Sequence, residues 1–361
     1  MSKIDDIFSK KEYTRDDLIF LLQVEGDDKS KLFAKSREIK GNTVGNKVYF
    51  RGLIEFSNIC AKNCLYCGIR LDNKKISRYR LTVDEIVKAA KFAYENKYAS
   101  IVLQSGELES EDFVSYIEQV LMRIHQETNK ELRVTLSCGE QNKETYIRWK
   151  LAGAHRYLLR IETSNPILYT RYHPNDERHS YQRRLQCLYD LRDTGYQVGT
   201  GVMIGLPFQE ISDLADDLMF MKTFCIDMVG MGPFLEHEHT PMFNYRNFLL
   251  PLQQRFDLAI KMIAVLRILM PDINIAAATA LQAIDPLGRE KAIQVGANVI
   301  MPNITPGQYR NNYKLYENKP CTDESAEDCT KCLDVRIALT DNEVAYNQYG
   351  DSLHYRNPSK I

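Results

Sequence analysis

Apolar, strand-like runs alternate with amphipathic, helix-like runs along most of the chain. In residues 81–96 the apolar positions recur at helical spacing, and Thr82 followed by Glu85 gives the pattern of a capping box. The strand-like runs are almost continuously apolar, as is typical of parallel strands buried on both faces. The predicted strands are 48–57, 99–106, 132–139, 155–163, 196–207, 227–235, 273–281 and 297–304. The predicted helices are 81–96, 111–128, 143–152, 181–194, 211–224, 252–269 and 288–294.

Eight such units predict an α/β fold, a (β/α)8 TIM-type barrel. A doubly wound open sheet is the alternative that the same alternation allows. Two short amphipathic segments, Arg15–Gln23 and Lys29–Ile39, precede the first strand. We therefore divide the chain into an N-terminal helical extension at 1–46, the barrel at 47–306, and a C-terminal segment at 307–361.

The composition of the chain argues against nucleic acid and membranes as partners. Lys plus Arg number 47 against 48 for Asp plus Glu, and a net charge of −1 gives no general attraction to nucleic acid. The chain has no run of about 18 apolar residues that could span a membrane. Its charged N-terminus lacks the apolar centre of a signal peptide. We therefore expect a cytoplasmic protein with no nucleic acid and no membrane as partner.

The nine cysteines indicate a metal site. Their number is odd and no secretory signal precedes them, so a disulfide framework is the weaker interpretation. Cys60, Cys64 and Cys67 have the spacing C-x3-C-x2-C and directly follow the first predicted strand. Three thiolates can hold a [4Fe–4S] cluster and leave one iron open to another molecule. The alternative is a zinc ion with a remote fourth ligand, His155 or His237.

The residues that end the other predicted strands support a site at the same place. In a (β/α)8 barrel, catalytic groups lie where strands end and the following loops begin. Polar, glycine or sulfur-bearing residues stand there in this sequence: Gly106, Glu107, Arg160, Glu162, Met203 and Thr279. We expect them to lie on one rim with the three cysteines.

The cysteine spacing, with Tyr66 directly before Cys67, resembles the motif of the radical S-adenosylmethionine (SAM) superfamily. In that family the open iron binds the amino and carboxylate groups of SAM. One electron from the cluster then cleaves SAM to methionine and a 5′-deoxyadenosyl radical. The resemblance implies a [4Fe–4S] cluster on Cys60, Cys64 and Cys67 as the catalytic and metal-binding residues, SAM as the second cofactor, and an external reductant.

The resemblance also implies which residues bind SAM. Gly106 and Glu107 match a motif whose backbone binds the amino group. Arg160, or Arg184 on the next helix, suits the carboxylate, because a guanidinium offers a planar pair of donors. Glu162 suits the ribose hydroxyls or the amino group. The cofactor-binding candidates are Tyr66, Gly106, Glu107, Arg160, Glu162, Arg184, Met203, which the resemblance places near adenine, and Tyr309.

Longer runs resemble the HydE family of [FeFe]-hydrogenase maturases, over roughly Asn46 to Cys332. They include IEFSNICAKNCLYCGIRLDNK, GAHRYLLRIETSNPILY and GANVIMPNITPGQYR. The resemblance implies a small organometallic substrate, a cysteine-bound Fe(CO)2CN unit. It implies transient partners, namely the tyrosine-cleaving radical SAM maturase and a scaffold GTPase. The alternative is a radical SAM isomerase or sulfur-transfer enzyme that acts on a small amino acid or thiol, like the more distant methylornithine and biotin synthases.

Candidate substrate-binding residues follow from position in the barrel: Thr135, Thr279 and Thr305. Ile161 stands between Arg160 and Glu162, where related sequences commonly carry histidine. We expect Ile161 to lie near the cavity and to alter the substrate pocket.

Three further cysteines follow the last predicted strand, at Cys321, Cys329 and Cys332. Three thiolates at this spacing can hold a cluster or a zinc ion. The resemblance implies an auxiliary [2Fe–2S] or [4Fe–4S] cluster on the barrel surface, away from the radical chemistry.

Overall fold

Eight parallel strands close into a barrel. The computed structural model describes residues 2–320 and 326–356, without the side chains of residues 326–331. The strands are β1 (Lys47–Ser57), β2 (Ser100–Ser105), β3 (Arg133–Ser137), β4 (Ala154–Leu158), β5 (Gln197–Thr200), β6 (Met203–Ile204), β7 (Met228–Pro233), β8 (Asn274–Ala277), β9 (Val299–Ile300) and β10 (Glu343–Val344). The pairing order is β1–β2–β3–β4–β5–β7–β8–β9, and β9 pairs back to β1 at Tyr49↔Val299 and Phe50↔Ile300. This closure confirms the barrel and excludes the open sheet.

Helices follow most of the strands and pack outside the barrel. They are α1 (Lys3–Phe8), α2 (Arg15–Gln23), α3 (Gly26–Thr43), α4 (Val83–Glu95), α5 (Glu111–Glu127), α6 (Lys143–Leu151), α7 (Pro166–Tyr172), α8 (Tyr181–Asp193), α9 (Ile211–Phe224), α10 (Leu252–Leu269), α11 (Thr279–Ile284), α12 (Gly288–Val295), α13 (Gly307–Arg310), α14 (Ala326–Ala338) and α15 (Leu353–Arg356). Short 3-10 helices cover Glu177–His179 and Pro241–Phe248. No helix in the described part of the chain is both long and apolar enough to cross a membrane.

Local sequence signals place several helix ends correctly. Helices α9 and α10 begin and end at the predicted residues. Thr82 accepts from the amide of Glu85, and the Glu85 carboxylate accepts from the amide of Thr82, so the predicted capping box is present. The strand predicted at 273–281 is wrong at its end, because the chain turns into α11 at Thr279. Short apolar runs do not distinguish a strand from a helical turn.

The N-terminal helices and the residues around and after β10 pack against the outside and the floor of the barrel. Helix α3 packs on α10 and α2 packs on α9. Strand β10 pairs with the amino end of β1. The residues that follow β10 close the floor: the Gly350 carbonyl accepts from the Asn274 amide at 2.8 Å and from Arg51 at 3.0 Å. The barrel is therefore closed at its amino end and open at the end where the strands finish.

Asp351 supplies the negative charge of this floor. Its carboxylate contacts the fully buried Arg156 and lies 2.9 Å from His155 Nε2. Burial raises the pKa of Asp351, but the hydrogen bond to His155 and the charge of Arg156 outweigh burial and hold the pKa below its usual value. The carboxylate therefore stabilises the folded state above the usual carboxyl pKa, and this contribution is lost as the pH falls.

We predict that Asp351→Asn lowers the free energy of unfolding by about 3 kcal/mol at neutral pH, because it leaves Arg156 buried without a counter-charge. Urea unfolding followed by circular dichroism measures the change. Asp193→Asn is the matched control: its ion pair with Lys143 is about half exposed on both sides, so the loss should be about 0.5 kcal/mol or less. The difference in free energy of unfolding between wild type and Asp351→Asn should become smaller below pH 3.8, where the carboxyl group of the unfolded chain is protonated. Equal losses in the two variants at neutral pH would contradict this account of the floor.

Candidate active site

The three cysteines of the first motif line one cavity at the open end of the barrel. Its volume is about 360 Å³, and Cys60, Cys64 and Cys67 form part of its wall. The loop that carries them follows β1 directly, so the strand fixes where it starts. Burial raises the pKa of all three thiols, for Cys67 to about 12, and their mutual repulsion as thiolates adds to the effect for Cys64 and Cys67. Bound iron would offset the free-energy cost of forming three buried thiolates, because a thiol that coordinates a metal is deprotonated.

Hydrogen bonds from other segments hold the cysteine loop. Its amides donate to carbonyls elsewhere in the chain: Ala61 to Glu107 (2.8 Å), Leu65 to Tyr172 (2.9 Å) and Gly68 to Leu315 (3.0 Å). Arg78 binds the loop from behind, and its guanidinium donates to the carbonyls of Asn58 (2.5 Å), Ile69 (2.8 Å) and Arg70 (2.6 Å). The loop is thus fixed by tertiary contacts rather than by regular structure of its own.

Gly106 lets the end of β2 approach this loop closely. A Cβ at Gly106 would lie 2.3 Å from the Ile59 carbonyl oxygen and 2.8 Å from the Cys60 Cβ. The next amide, that of Glu107, donates to Cys60 Sγ at 3.3 Å, and the Lys62 amide does so at 3.4 Å. Amides directed at a cysteine sulfur suit a thiolate ligand of an iron–sulfur cluster, whose potential such hydrogen bonds tune. The residues present therefore fit a cluster at Cys60, Cys64 and Cys67.

The zinc alternative fits these residues less well. No group of three His, Cys, Asp or Glu side chains in the described part of the chain lies close enough to hold one metal ion. A tetrahedral zinc with bonds of about 2.3 Å to sulfur needs its ligands gathered around one point. In a cluster each thiolate binds a different iron, so the sulfurs stand further apart. His155 is also at the floor, bonded to Asp351, at the other end of the barrel.

Arg160 and Glu162 face the cavity as a pair beyond the end of β4. Arg160 Nε donates to Glu162 Oε1 at 3.0 Å and Nη2 to Oε2 at 2.9 Å. Glu162 has φ +65°, a left-handed conformation that costs energy for a residue with a side chain and is concentrated at functional sites. Burial lowers the pKa of Arg160, but Glu162 outweighs burial and raises it. The pair offers both a fork of donors and a carboxylate to a ligand.

Ile161 does not lie where we expected it. It is fully buried in the hydrophobic core and is not part of the cavity wall, whereas its neighbours Arg160 and Glu162 are. Leu158, Leu159 and Arg160 before it and Glu162 after it all line the cavity, so strand alternation does not set the direction of Ile161, which packs into the core. Its amide donates to Thr200 Oγ1 at 3.1 Å, which fixes this orientation. The prediction that Ile161 alters the substrate pocket directly is therefore wrong.

Glu107 belongs to a buried network of four charges. Lys62 Nζ lies 3.0 Å from Glu107 and 2.8 Å from Glu140, and Arg184 lies 3.2 Å and 2.7 Å from the same two carboxylates. Burial raises the pKa of Glu107, but Arg184 and Lys62 outweigh it and lower the pKa. Gly139, at φ +77°, makes room, because a Cβ there would lie 1.9 Å from the Glu107 side chain. Sequence reasoning missed Lys62 and Glu140, although Lys62 stands inside the cysteine motif.

An apolar patch completes this side of the cavity. Tyr66 and Met203 line the cavity and pack against a small separate core formed by Leu168, Tyr172, Leu206, Phe234 and Met242. The Tyr66 hydroxyl lies 3.3 Å from His173 Nε2, which fixes the ring. A flat apolar surface of this kind suits an aromatic base.

The remaining predicted residues are divided between the cavity and other places. Thr279 lines the cavity. Thr305 is buried and its hydroxyl accepts from the Glu55 amide at 2.9 Å, and Thr135 is buried in β3, so neither is part of the cavity wall. Tyr309 stacks on Tyr79 and donates to Glu85 at 2.9 Å, away from the cavity wall.

The tail cysteines are only partly within the described structure. Cys321 and the side chain of Cys329 lie outside the described residues. Cys332 is exposed on α14 and is not part of the cavity wall.

A second polar group that sequence reasoning missed lies deeper in the cavity. Glu55, in the middle of β1, accepts from Lys319 at 2.5 Å and from the Asn303 amide at 3.1 Å. Lys319 also donates to the Tyr313 carbonyl at 2.9 Å. Arg289, from the first turn of α12, lines the same cavity. Glu55 is in β1, Arg289 in α12, Asn303 in the turn after β9 and Lys319 in the C-terminal segment, so no local motif marks them.

Comparison with known proteins agrees with this site. The family model of the radical SAM superfamily matches residues 54–221, which include the cysteine loop and Arg160. The [FeFe] hydrogenase maturase subunit HydE of Thermotoga maritima is 46% identical over 332 residues, 91% of each chain. The 3-methylornithine synthase of Methanosarcina acetivorans is 27% identical over 79% of this chain and 78% of its own.

Two solved structures share the fold. Methylornithine synthase (PylB) has a TM-score of 0.81 at 24% identity and covers 96% of this chain and 98% of its own. The FeFe-hydrogenase maturase HydG from Carboxydothermus hydrogenoformans has a TM-score of 0.80 at 21% identity, over 95% of this chain and 79% of its own. At these identities the likeness establishes the fold alone.

The barrel is closed, three cysteines lie on the loop after its first strand, and the chain matches the superfamily model. The protein is therefore a radical SAM enzyme. Identity of 46% over nine-tenths of both chains narrows this further. The chain belongs to the HydE family of [FeFe]-hydrogenase maturases.

We predict that Gly106→Ala reduces SAM cleavage by roughly 100-fold, because the added methyl group must displace the loop that carries Cys60 by about 1 Å. Formation of 5′-deoxyadenosine by the anaerobically reconstituted protein measures this. Gly41→Ala is the control, since a Cβ there meets nothing within 4 Å. Normal cleavage by Gly106→Ala would show that the close approach of β2 is not needed.

Proposed function

We propose that this enzyme uses SAM to act on a cysteine-bound Fe(CO)2CN unit during assembly of the [FeFe]-hydrogenase active site. The observation that carries the proposal is that one cavity joins the cysteine loop to a polar inner wall formed by Glu55, Asn303 and Lys319. Cys60, Cys64 and Cys67 are proposed to hold a [4Fe–4S] cluster. When bound, the cluster supplies the electron, taken from an external reductant, that cleaves SAM to methionine and a 5′-deoxyadenosyl radical.

The chain's own groups are proposed to bind and orient SAM beside the cluster. Gly106 and the backbone next to it offer a narrow place for the amino group. Arg160 and Glu162 lie side by side. The guanidinium of Arg160 is proposed to bind the carboxylate of SAM, and the carboxylate of Glu162 is proposed to bind its ribose hydroxyls or its amino group. Tyr66 and Met203 supply the apolar surface for adenine. Binding SAM in this fixed geometry brings the reacting carbon to the substrate without a free radical in solution.

The inner wall suits a small anionic substrate. Glu55, Asn303 and Arg289 are all buried, so charged and hydrogen-bonding groups at this wall act more strongly than they would in water. Asn303, Lys319 and Arg289 lie there, on the side of β1, β9 and the C-terminal segment. In the proposed reaction the 5′-deoxyadenosyl radical forms a carbon–sulfur bond with the thiolate of the substrate, and the remaining electron reduces the iron of the substrate by one unit. The tyrosine-cleaving radical SAM maturase would supply this substrate, and the scaffold GTPase would receive the diiron product.

We expect the reconstituted enzyme, given SAM, a reductant and the synthetic cysteine–Fe(CO)2CN complex, to consume the complex and join a deoxyadenosyl group to its sulfur. Mass spectrometry of the quenched reaction measures this product. Cys64→Ala, which removes one cluster ligand, should give no product and no 5′-deoxyadenosine.

The outcomes separate two functions. SAM cleavage without consumption of the iron complex, together with turnover of a free amino acid or thiol, would favour the isomerase or sulfur-transfer alternative. The similarity to 3-methylornithine synthases is the observation that keeps this alternative in view.

The tail cysteines are proposed to bind an auxiliary [2Fe–2S] or [4Fe–4S] cluster that takes no part in the radical chemistry. The exposure of Cys332, away from the cavity wall, supports a peripheral role. We predict that Cys321→Ser or Cys332→Ser lowers the iron content of the reconstituted protein but changes the rate of SAM cleavage by less than about twofold. Cys225→Ser is the matched control and should keep all the iron. Loss of SAM cleavage in the tail variants would overturn the peripheral assignment.

A further inference from the structure

Arg289 is a buried cation that has no partner among the residues the structure describes. Its side chain lines the cavity, and the residue is only 3% exposed. Its Nε is fully buried and has no hydrogen-bond partner, and no hydrogen bond or ion pair joins the guanidinium to any residue that the structure describes. A buried charge is strongly unfavourable unless it is paired and hydrogen-bonded, so a group in this state is expected to have a ligand.

The other cations of the cavity all have carboxylate partners. Five cationic side chains in the described part of the chain line it: Lys62, Arg160, Arg184, Arg289 and Lys319. The ion pairs are Lys62 and Arg184 with Glu107 and Glu140, Arg160 with Glu162, and Lys319 with Glu55. Among the described residues, the four carboxylates balance four of these five cations. Arg289 therefore leaves the cavity with one positive charge that the described part of the chain does not neutralise.

Arg289 lies across the barrel from the Arg160–Glu162 pair. In the closed order of eight strands, β9 is opposite β4, and α12 is the helix that leads from β8 to β9. Strand β8 packs against α12, and small residues of β7 and β8 and the turn after β8, namely Gly230, Gly232 and Ala276–Ala278, line the same cavity as Arg289. A ligand can therefore lie against Arg289 while SAM occupies the opposite side.

On the basis of the function proposed above, we propose that Arg289 binds the carboxylate of an amino-acid substrate, and so orients its thiolate sulfur toward SAM. A carboxylate fits because a guanidinium donates two parallel hydrogen bonds to it. The cysteine portion of the substrate supplies such a carboxylate. The free positive charge also selects against thiols that carry an amino group alone.

The experiment compares two probes that have the same thiol and amine but differ in the carboxylate, namely L-cysteine and cysteamine. Their binding to the reconstituted, SAM-loaded protein is measured by anaerobic calorimetry. We expect the wild type to bind L-cysteine at least 10-fold more tightly than cysteamine. Arg289→Gln should weaken L-cysteine binding by roughly 10- to 100-fold, the loss expected for a charge-assisted pair of hydrogen bonds, and leave cysteamine binding unchanged.

Arg289→Lys and Lys291→Gln are the comparison variants. Arg289→Lys keeps the charge but loses the fork, so its affinity for L-cysteine should lie between wild type and Arg289→Gln. Lys291 is on the same helix but about half exposed, so Lys291→Gln should bind both probes like the wild type. The melting temperature of Arg289→Gln should not fall, because the variant removes an unpaired buried charge.

Two results would overturn the assignment. One is that the wild type does not prefer L-cysteine to cysteamine by 10-fold, or that Arg289→Gln keeps the wild-type preference. The other is a loss of SAM affinity in Arg289→Gln, which would make Arg289 part of the SAM site. Consumption of the cysteine–Fe(CO)2CN complex by the wild type tests the proposed function separately. If the wild type does not consume the complex but still discriminates L-cysteine from cysteamine, the iron complex is not the substrate and the carboxylate site at Arg289 stands.

Discussion

The site depends on a cysteine loop that cannot hold its own shape. The loop after β1 has little regular structure, and its backbone groups are satisfied by segments that are distant in sequence. The end of β2, helix α7 and the C-terminal segment each accept a hydrogen bond from it, and Arg78 donates to three of its carbonyls. A buried peptide group without a partner is costly, so these bonds fix one conformation. The spacing of three thiols is therefore set by the closed barrel.

Charge is arranged in the cavity in two different ways. Near the cysteine loop, the cavity cations Lys62 and Arg184 share two carboxylates, Glu107 and Glu140. Such pairs are rigid and well oriented, which suits repeated binding of one cofactor. On the opposite side Arg289 has no described partner. A low dielectric constant strengthens the attraction between paired charges and raises the cost of an unpaired one. The paired groups near the cysteine loop therefore form a site that exists without a ligand, whereas the site at Arg289 is completed by a ligand.

Much of the fold could be predicted because its signals are local. The capping box at Thr82 and the helical periodicity of α9 and α10 each lie within one segment, and the structure bears them out. Strand ends were less predictable. The apolar run that includes Thr279 contains both β8 and the start of α11, and short runs of this kind satisfy either geometry. Ile161 shows the same limit at the scale of one residue, because it lies beyond the end of β4 and tertiary packing decides whether its side chain faces the cavity or the core.

The sequence by itself determined the chemistry of the site: three thiols at a spacing suited to a cluster, an arginine and a glutamate two residues apart, and the strand-and-helix alternation that implies one functional rim. The tertiary structure alone decided which other groups reach that rim. Glu55, Lys319 and Arg289 are separated by more than two hundred residues or by whole elements, yet they line one cavity. Closure of β9 onto β1 brings them together. Whether a buried charge finds a partner depends on the sum of these distant contacts, which no local pattern records.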